Sequence, residues 1–267
     1  MARELFRRGL LDRSRALIAW CVGVALYILF LAAAFPSLRD AADLNQLVEK
    51  YPEGLKELFG LSAGIDLTSG AGFFDAELFS FMLPLFALVL AIGSGTRLLA
   101  GEEEAGRLEL LFAYPLRRRD GVLAKGATVA VELALFSAAV AAAMLLFDPI
   151  FDLGLSVSRV AGAAASLGVL GLLYGWIALA VAGFTPSKAL ATAVPAALAA
   201  AGYLIAGLHD LAGWLDPLRY ASAFWWVGRA PLREGVSVSG LLVVAAAAAG
   251  ALVAAAYLIE RRDLKTP

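Results

Sequence analysis

Six uninterrupted apolar runs constrain this chain more than anything else in it. They lie at about residues 16–35, 78–96, 126–147, 160–184, 189–208 and 236–259. Crossing a bilayer core takes roughly 20 such residues in a helix. Lipid offers no partner to an unpaired backbone N–H or C=O, so each run has to be an α-helix. Five runs carry no charge, and the third holds one, Glu132. The chain therefore reads as an all-α integral membrane protein, a single transmembrane domain over residues 1–267 with six transmembrane helices. Composition agrees, with 61% of residues hydrophobic and 17% charged, the charges clustering between the runs.

Orientation follows from lysine and arginine, which favour the cytoplasmic ends of spans when loops are short. With the N-terminus inside, fifteen of the 22 fall on the cytoplasmic side, at residues 3–15, 97–125, 188 and 261–265, and seven fall outside. The expectation is a multi-pass protein of the cell (plasma) membrane with both termini cytoplasmic. Within residues 3–15, Leu5, Phe6, Leu10 and Leu11 stand against Arg7, Arg8 and Arg13. That pattern predicts an N-terminal amphipathic interfacial helix ahead of the first span.

Between spans 2 and 3 the chain is soluble in character. Glu102, Glu103 and Glu104 precede Ala105, Gly106, Arg107, Leu108, Leu111 and Phe112, and Pro115 follows. Carboxylates suit the positive N-terminal end of a helix dipole, and proline ends a helix. Ala105, Leu108, Leu111 and Phe112 recur at helical spacing. The reading is a short amphipathic helix over about 101–115, presented to something in water. Glu103 and Glu104 also stand four and three residues before Arg107, the spacing of intrahelical pairs. The run Arg117, Arg118, Arg119 fits either an acidic partner protein or anionic inner-leaflet lipid.

The two long outer loops carry patterns of their own. Residues 36–77 keep Leu44, Leu47, Val48, Tyr51, Leu55 and Leu58 at helical spacing, which predicts amphipathic helices on the outer leaflet before a glycine- and serine-rich connector at 60–72. Residues 209–235 bring Trp214, Tyr220, Phe224, Trp225 and Trp226 together with Pro217 and Pro231. Aromatic rings collect at the membrane boundary, and the prolines predict a re-entrant segment between spans 5 and 6. Gly171 and Gly175 in span 4, and Ala246, Gly250 and Ala254 in span 6, are candidate close-packing stripes.

Catalytic signatures are missing. There is no G-x-x-x-x-G-K-[ST] phosphate loop, so the chain does not bind ATP by that mechanism. No H-E-x-x-H helix occurs either. With one cysteine, Cys21, and one histidine, His209, neither an intrachain disulfide nor a metal site is expected. No cofactor, no enzymatic activity and no nucleic-acid partner is expected. Glu132 is open to two readings, because a carboxylate within a span normally faces the bundle interior or a water-filled path. It is either a cavity acid that meets a cationic substrate or a proton, or a structural acid paired with an arginine such as Arg97.

The order of these features resembles the permease subunit of type-2 ABC exporters, in the subgroup for antibiotic and exotoxin export. The resemblance rests on 100–111 leading to Tyr114, Pro115 and Arg118, and on Lys125 at the start of span 3. It extends to Asp216-Pro217-Leu218-Arg219-Tyr220 with Ala230-Pro231-Leu232, and to the closing Glu260-Arg261-Arg262-Asp263-Leu264. It implies that 101–115 is the coupling helix, with Glu102, Glu103, Glu104, Gly106, Arg107, Leu108, Leu111, Phe112, Pro115 and Arg118 facing an ABC ATPase subunit. It implies two ATPase copies that bind the ATP, a second permease copy or homologue, and contact with membrane lipids. The cargo implied is a hydrophobic or amphipathic compound such as a drug, antibiotic, lipid or peptide. Passing lipid or force to outer-face proteins is the alternative output.

Overall fold

The computed structural model describes residues 2–39, 51–52, 54, 56, 65–106, 117–211 and 213–262. Helix α1 is Ala2–Arg39, α2 is Gly70–Glu104, α3 is Arg118–Phe151 and α4 is Val157–Phe184. Helix α5 is Lys188–Leu208. A 3₁₀ turn at Asp216–Ala221 and the short α6, Ala223–Val227, lead to α7, Val238–Arg261. Six of these, all but α6, are long and apolar enough to cross a membrane, and each takes up nearly all of one apolar run or the whole of it. The described residues include no strand.

Helix α4 is the centre of the bundle and packs against α2, α3, α5 and α7, while α1 lies along α3. Gly171 and Gly175 make that centre possible. A β-carbon at Gly171 would stand 2.8 Å from Leu133, and one at Gly175 would stand 3.1 Å from the Ala91 carbonyl. Gly95 of α2 meets the Gly175 carbonyl so closely that a side chain there has no room. The span 4 stripe is thus a packing seam, as small residues allow. The span 6 stripe is not: Ala246 and Gly250 are exposed, and α7 packs instead through Val244, Ala248, Ala255 and Ile259. Alanine-rich sequence offers small-residue spacing on several faces, and helix rotation chooses among them.

Three expected boundaries change. Residues 3–15 do not form a separate interfacial helix, because α1 runs unbroken for 38 residues, about 57 Å at 1.5 Å per residue. No proline interrupts it before Pro36, and Arg13 finds a buried partner, so nothing holds the amphipathic part at the surface. The connector placed at 60–72 ends sooner. Ser69 caps α2 by accepting the Gly72 N–H at 3.2 Å, and helix begins at Gly70. The predicted outer-leaflet helices fall mainly on 40–64, largely outside the described residues.

The third change matters most. Glu102–Glu104 does not open a new helix; it closes α2. Gly106, with φ of +66°, supplies the left-handed residue that commonly ends a helix, and its N–H bonds the Glu103 carbonyl at 2.9 Å. The remainder of the expected helix, including Arg107, Leu108, Leu111, Phe112 and Pro115, lies outside the described residues.

Helix α2 carries two wide, π-helical stretches, Asp75–Met82 and Arg97–Gly101. Pro84, just past the first, has no N–H to give the carbonyl four residues earlier, and a wider winding relieves that loss. The second sits beside the acidic cluster and frees a carbonyl used there.

Candidate functional site

At the C-terminal end of a helix the dipole is negative, so three successive carboxylates are unfavourable there unless cationic groups answer them. Each of the three has its own answer, from a different helix. Glu102 pairs with the Lys125 ammonium of α3. Glu103 pairs with the Arg262 guanidinium just past α7. Glu104 accepts the backbone N–H of Lys188, the first residue of α5, at 3.1 Å. The end of α2 therefore holds the ends of α3, α5 and α7 together.

Lys125 is 5% exposed and donates a second bond to the Leu98 carbonyl within the π-helical stretch. A wide turn leaves a carbonyl without its usual i+4 donor, and the lysine takes it. Arg262 is equally committed. It donates to the Ala182 carbonyl at 3.1 Å at the end of α4, while its own carbonyl accepts from Arg118 at 2.7 Å. Of the residues expected to face a partner, Glu103 is nearly buried and Arg118 is spent on the C-terminal segment. Both Lys125 and Arg262 were visible in the sequence as matching positions, but their partners were not.

Glu132 lies in the bundle at 1% exposure. Its partner is Arg13 of α1, with Nε 2.5 Å from Oε1, and not Arg97. Ser94 of α2 donates a hydrogen bond to the other oxygen. The pairing follows from register. Helices α1 and α3 run in the same direction, Gly9 sits against Thr128, and Arg39 reaches Asp152 at 3.5 Å near the far end. Arg97 lines the same small cavity of about 90 Å³ beside Arg13, Trp20 and Glu132. Sequence reasoning missed Arg13 because it stood in the segment assigned to the membrane surface.

The opposite end has a matching clamp that no motif signalled. Asp75, 1% exposed, accepts the N–H groups of Leu232 and Arg233 at 3.0 and 2.9 Å. Arg159 of α4 donates to the Leu232 carbonyl at 2.9 Å. Asp75 and Arg159 thus grip the turn after Ala230 and Pro231 from both sides and tie it to α2 and α4. Phe224 of α6 packs on Tyr203 and Tyr174, at ring separations of 5.6 and 6.1 Å. The Ser222 hydroxyl donates to the Gly202 carbonyl at 2.7 Å, fastening this aromatic segment to α5.

Between α2 and α5 runs an apolar groove of about 620 Å³, within the range of sites for drug-sized molecules. Leu85, Leu88, Val89 and Leu204 line it, Phe224 and Tyr203 stand at one end, and Arg97 and Thr192 at the other.

Residues 10–259 match the family described as multidrug efflux system permease Rv1217c, C-terminal domain. No curated protein matches the chain.

Proposed function

The chain belongs to that multidrug efflux permease family, and from this premise we propose that it is the permease subunit of a type-2 ABC exporter, driven by a separate ATPase. Two permease copies, or one with a homologue, form the path, and two ATPase subunits bind the ATP. The end bearing Glu102–Glu104 is cytoplasmic, as the lysine and arginine distribution favours. The segment 101–115 receives the ATPase motion as the coupling element. The groove between α2 and α5 is the part of the path that this chain contributes, and the cargo is hydrophobic or amphipathic.

One observation carries this reading: the three glutamates at the head of the coupling segment each hold the end of a different spanning helix. A push on residues 105–115 would act through α2 and pass to α3, α5 and α7 together. Ion pairs at this junction transmit displacement because they are partly desolvated.

The test is purification of the chain with its ATPase, reconstitution in liposomes, and comparison with Arg262→Ala and Glu103→Gln. We expect both variants to assemble with the ATPase and to lose the stimulation of ATP turnover by amphipathic compounds. Full stimulation in both variants would overturn the coupling role, and the absence of any co-purifying ATPase would overturn the exporter reading itself.

A further inference from the structure

The groove between α2 and α5 is chemically lopsided. Its walls are apolar, and among its lining residues only Arg97 is charged. Phe81 and Arg97 both line it, sixteen residues apart on α2, about 24 Å of helix. Arg97 is exposed and, among the described residues, has neither a hydrogen-bond nor an ion-pair partner.

The carboxylates of the same end of the bundle are each engaged elsewhere. Glu132 is taken by Arg13 and Ser94. Glu102 is taken by Lys125, Glu103 by Arg262 and Glu104 by the Lys188 amide. Arg97 also lines the smaller cavity with Arg13 and Glu132. Arg97 is thus the one charged group on the lining of the apolar trough, and it stands at the polar end. The nearby Thr192 hydroxyl spends its hydrogen on the Lys188 carbonyl at 3.0 Å, so the donors at this end are those of Arg97. Arginine presents a fork of donors matched to a carboxylate.

We propose that the groove selects acidic amphiphiles, with Arg97 binding the carboxylate head and the trough toward Tyr203 and Phe224 taking the apolar body. The inference rests on the export reading and names its substrate class. A neutral drug of the same body would enter the groove without its anchor.

The experiment uses the purified chain in phosphatidylcholine nanodiscs, with dansyl-undecanoic acid and its methyl ester as fluorescent probes and empty nanodiscs as the blank. A charge-assisted hydrogen bond in a partly dry site predicts about tenfold tighter binding of the acid than of the ester. Arg97→Gln should erase that preference while leaving ester binding unchanged, which also shows that the variant is folded. Arg97→Lys should restore part of it. Val89→Trp, which fills the groove, should abolish binding of both probes.

Equal binding of acid and ester by wild type and Arg97→Gln would overturn the charge selection and leave the groove as a path. No binding of either probe, or binding unaffected by Val89→Trp, would instead remove the groove from the transport reading. Loss of the acid preference in phosphatidylglycerol nanodiscs would assign Arg97 to a lipid headgroup and overturn the proposal. Cross-linking of Val89→Cys copies in a Cys21→Ser background, with exclusion of both probes, would give the groove to a second copy and overturn it as well.

Discussion

Replacing Arg13 by methionine should be among the most damaging single changes in α1, although it removes a residue near the start of the chain. The Glu132 carboxylate is 1% exposed, and its two oxygens meet Arg13 and Ser94. In Arg13→Met the carboxylate stays buried with one hydroxyl donor. Stranding one member of a buried pair costs about 3–5 kcal/mol. The Arg13 side chain is 18% exposed, so water reaches the pair, and about 3 kcal/mol is the expected loss. Glu132→Met should cost less, about 1–2 kcal/mol, because the freed guanidinium can extend along α1 toward water. In the double variant both desolvation penalties vanish and two flexible apolar chains fill the space, so stability should return to within about 1 kcal/mol of wild type. The cycle then yields a coupling of about 3 kcal/mol. Reversible unfolding in mixed dodecyl sulfate and maltoside micelles would measure it. Tryptophan fluorescence is a suitable probe, since Trp20 lines the same cavity and stands 6.4 Å from Phe136. A double variant that loses the sum of the two single losses would refute the pairing and return Arg13 to the membrane surface.

Other outcomes follow from the same geometry. Asp75→Asn leaves one of two buried N–H groups facing an amide NH₂, so a loss of about 1–3 kcal/mol is expected, together with faster proteolysis at residues 229–235, read by mass spectrometry. Gly95→Leu should destabilise by about 1–3 kcal/mol through overpacking against α4, whereas Gly250→Ala, with nothing within 4 Å, should stay within about 0.5 kcal/mol; the same unfolding assay separates them. In intact cells, a cysteine at Arg117 should resist a membrane-impermeant maleimide and one at Val157 should react, both in a Cys21→Ser background, and the reverse pattern would invert the assigned topology.

The spans were legible because length and hydropathy are local properties that need no partner to be read. The Gly171 and Gly175 seam was visible for the same reason, although which helices it joined was not. Helix continuity was misjudged where composition changed within one element. Residues 3–15 and 16–35 differ sharply in polarity yet share one helix, and so do the apolar span 2 and Glu102–Glu104. A change of polarity marks where the environment changes, and the backbone need not break there. The sign of the dipole argument depends on that point: at a helix start the dipole favours the glutamates; at its end Glu102 and Glu103 are answered by cations and Glu104 by a backbone N–H.

What the sequence alone determined was the set of six membrane-crossing helices, the clustering of charge at their ends and the lack of any ATP-binding loop. These depend on the solvent that each segment tolerates. Only the tertiary structure decided which charge answers which. Arg13 meets Glu132 across 119 positions, Arg262 meets Glu103 across 159, and Arg97 faces the groove without a partner among the described residues. Such pairings are set by helix register and rotation, which arise from close packing around α4, and no pattern along a single chain encodes them.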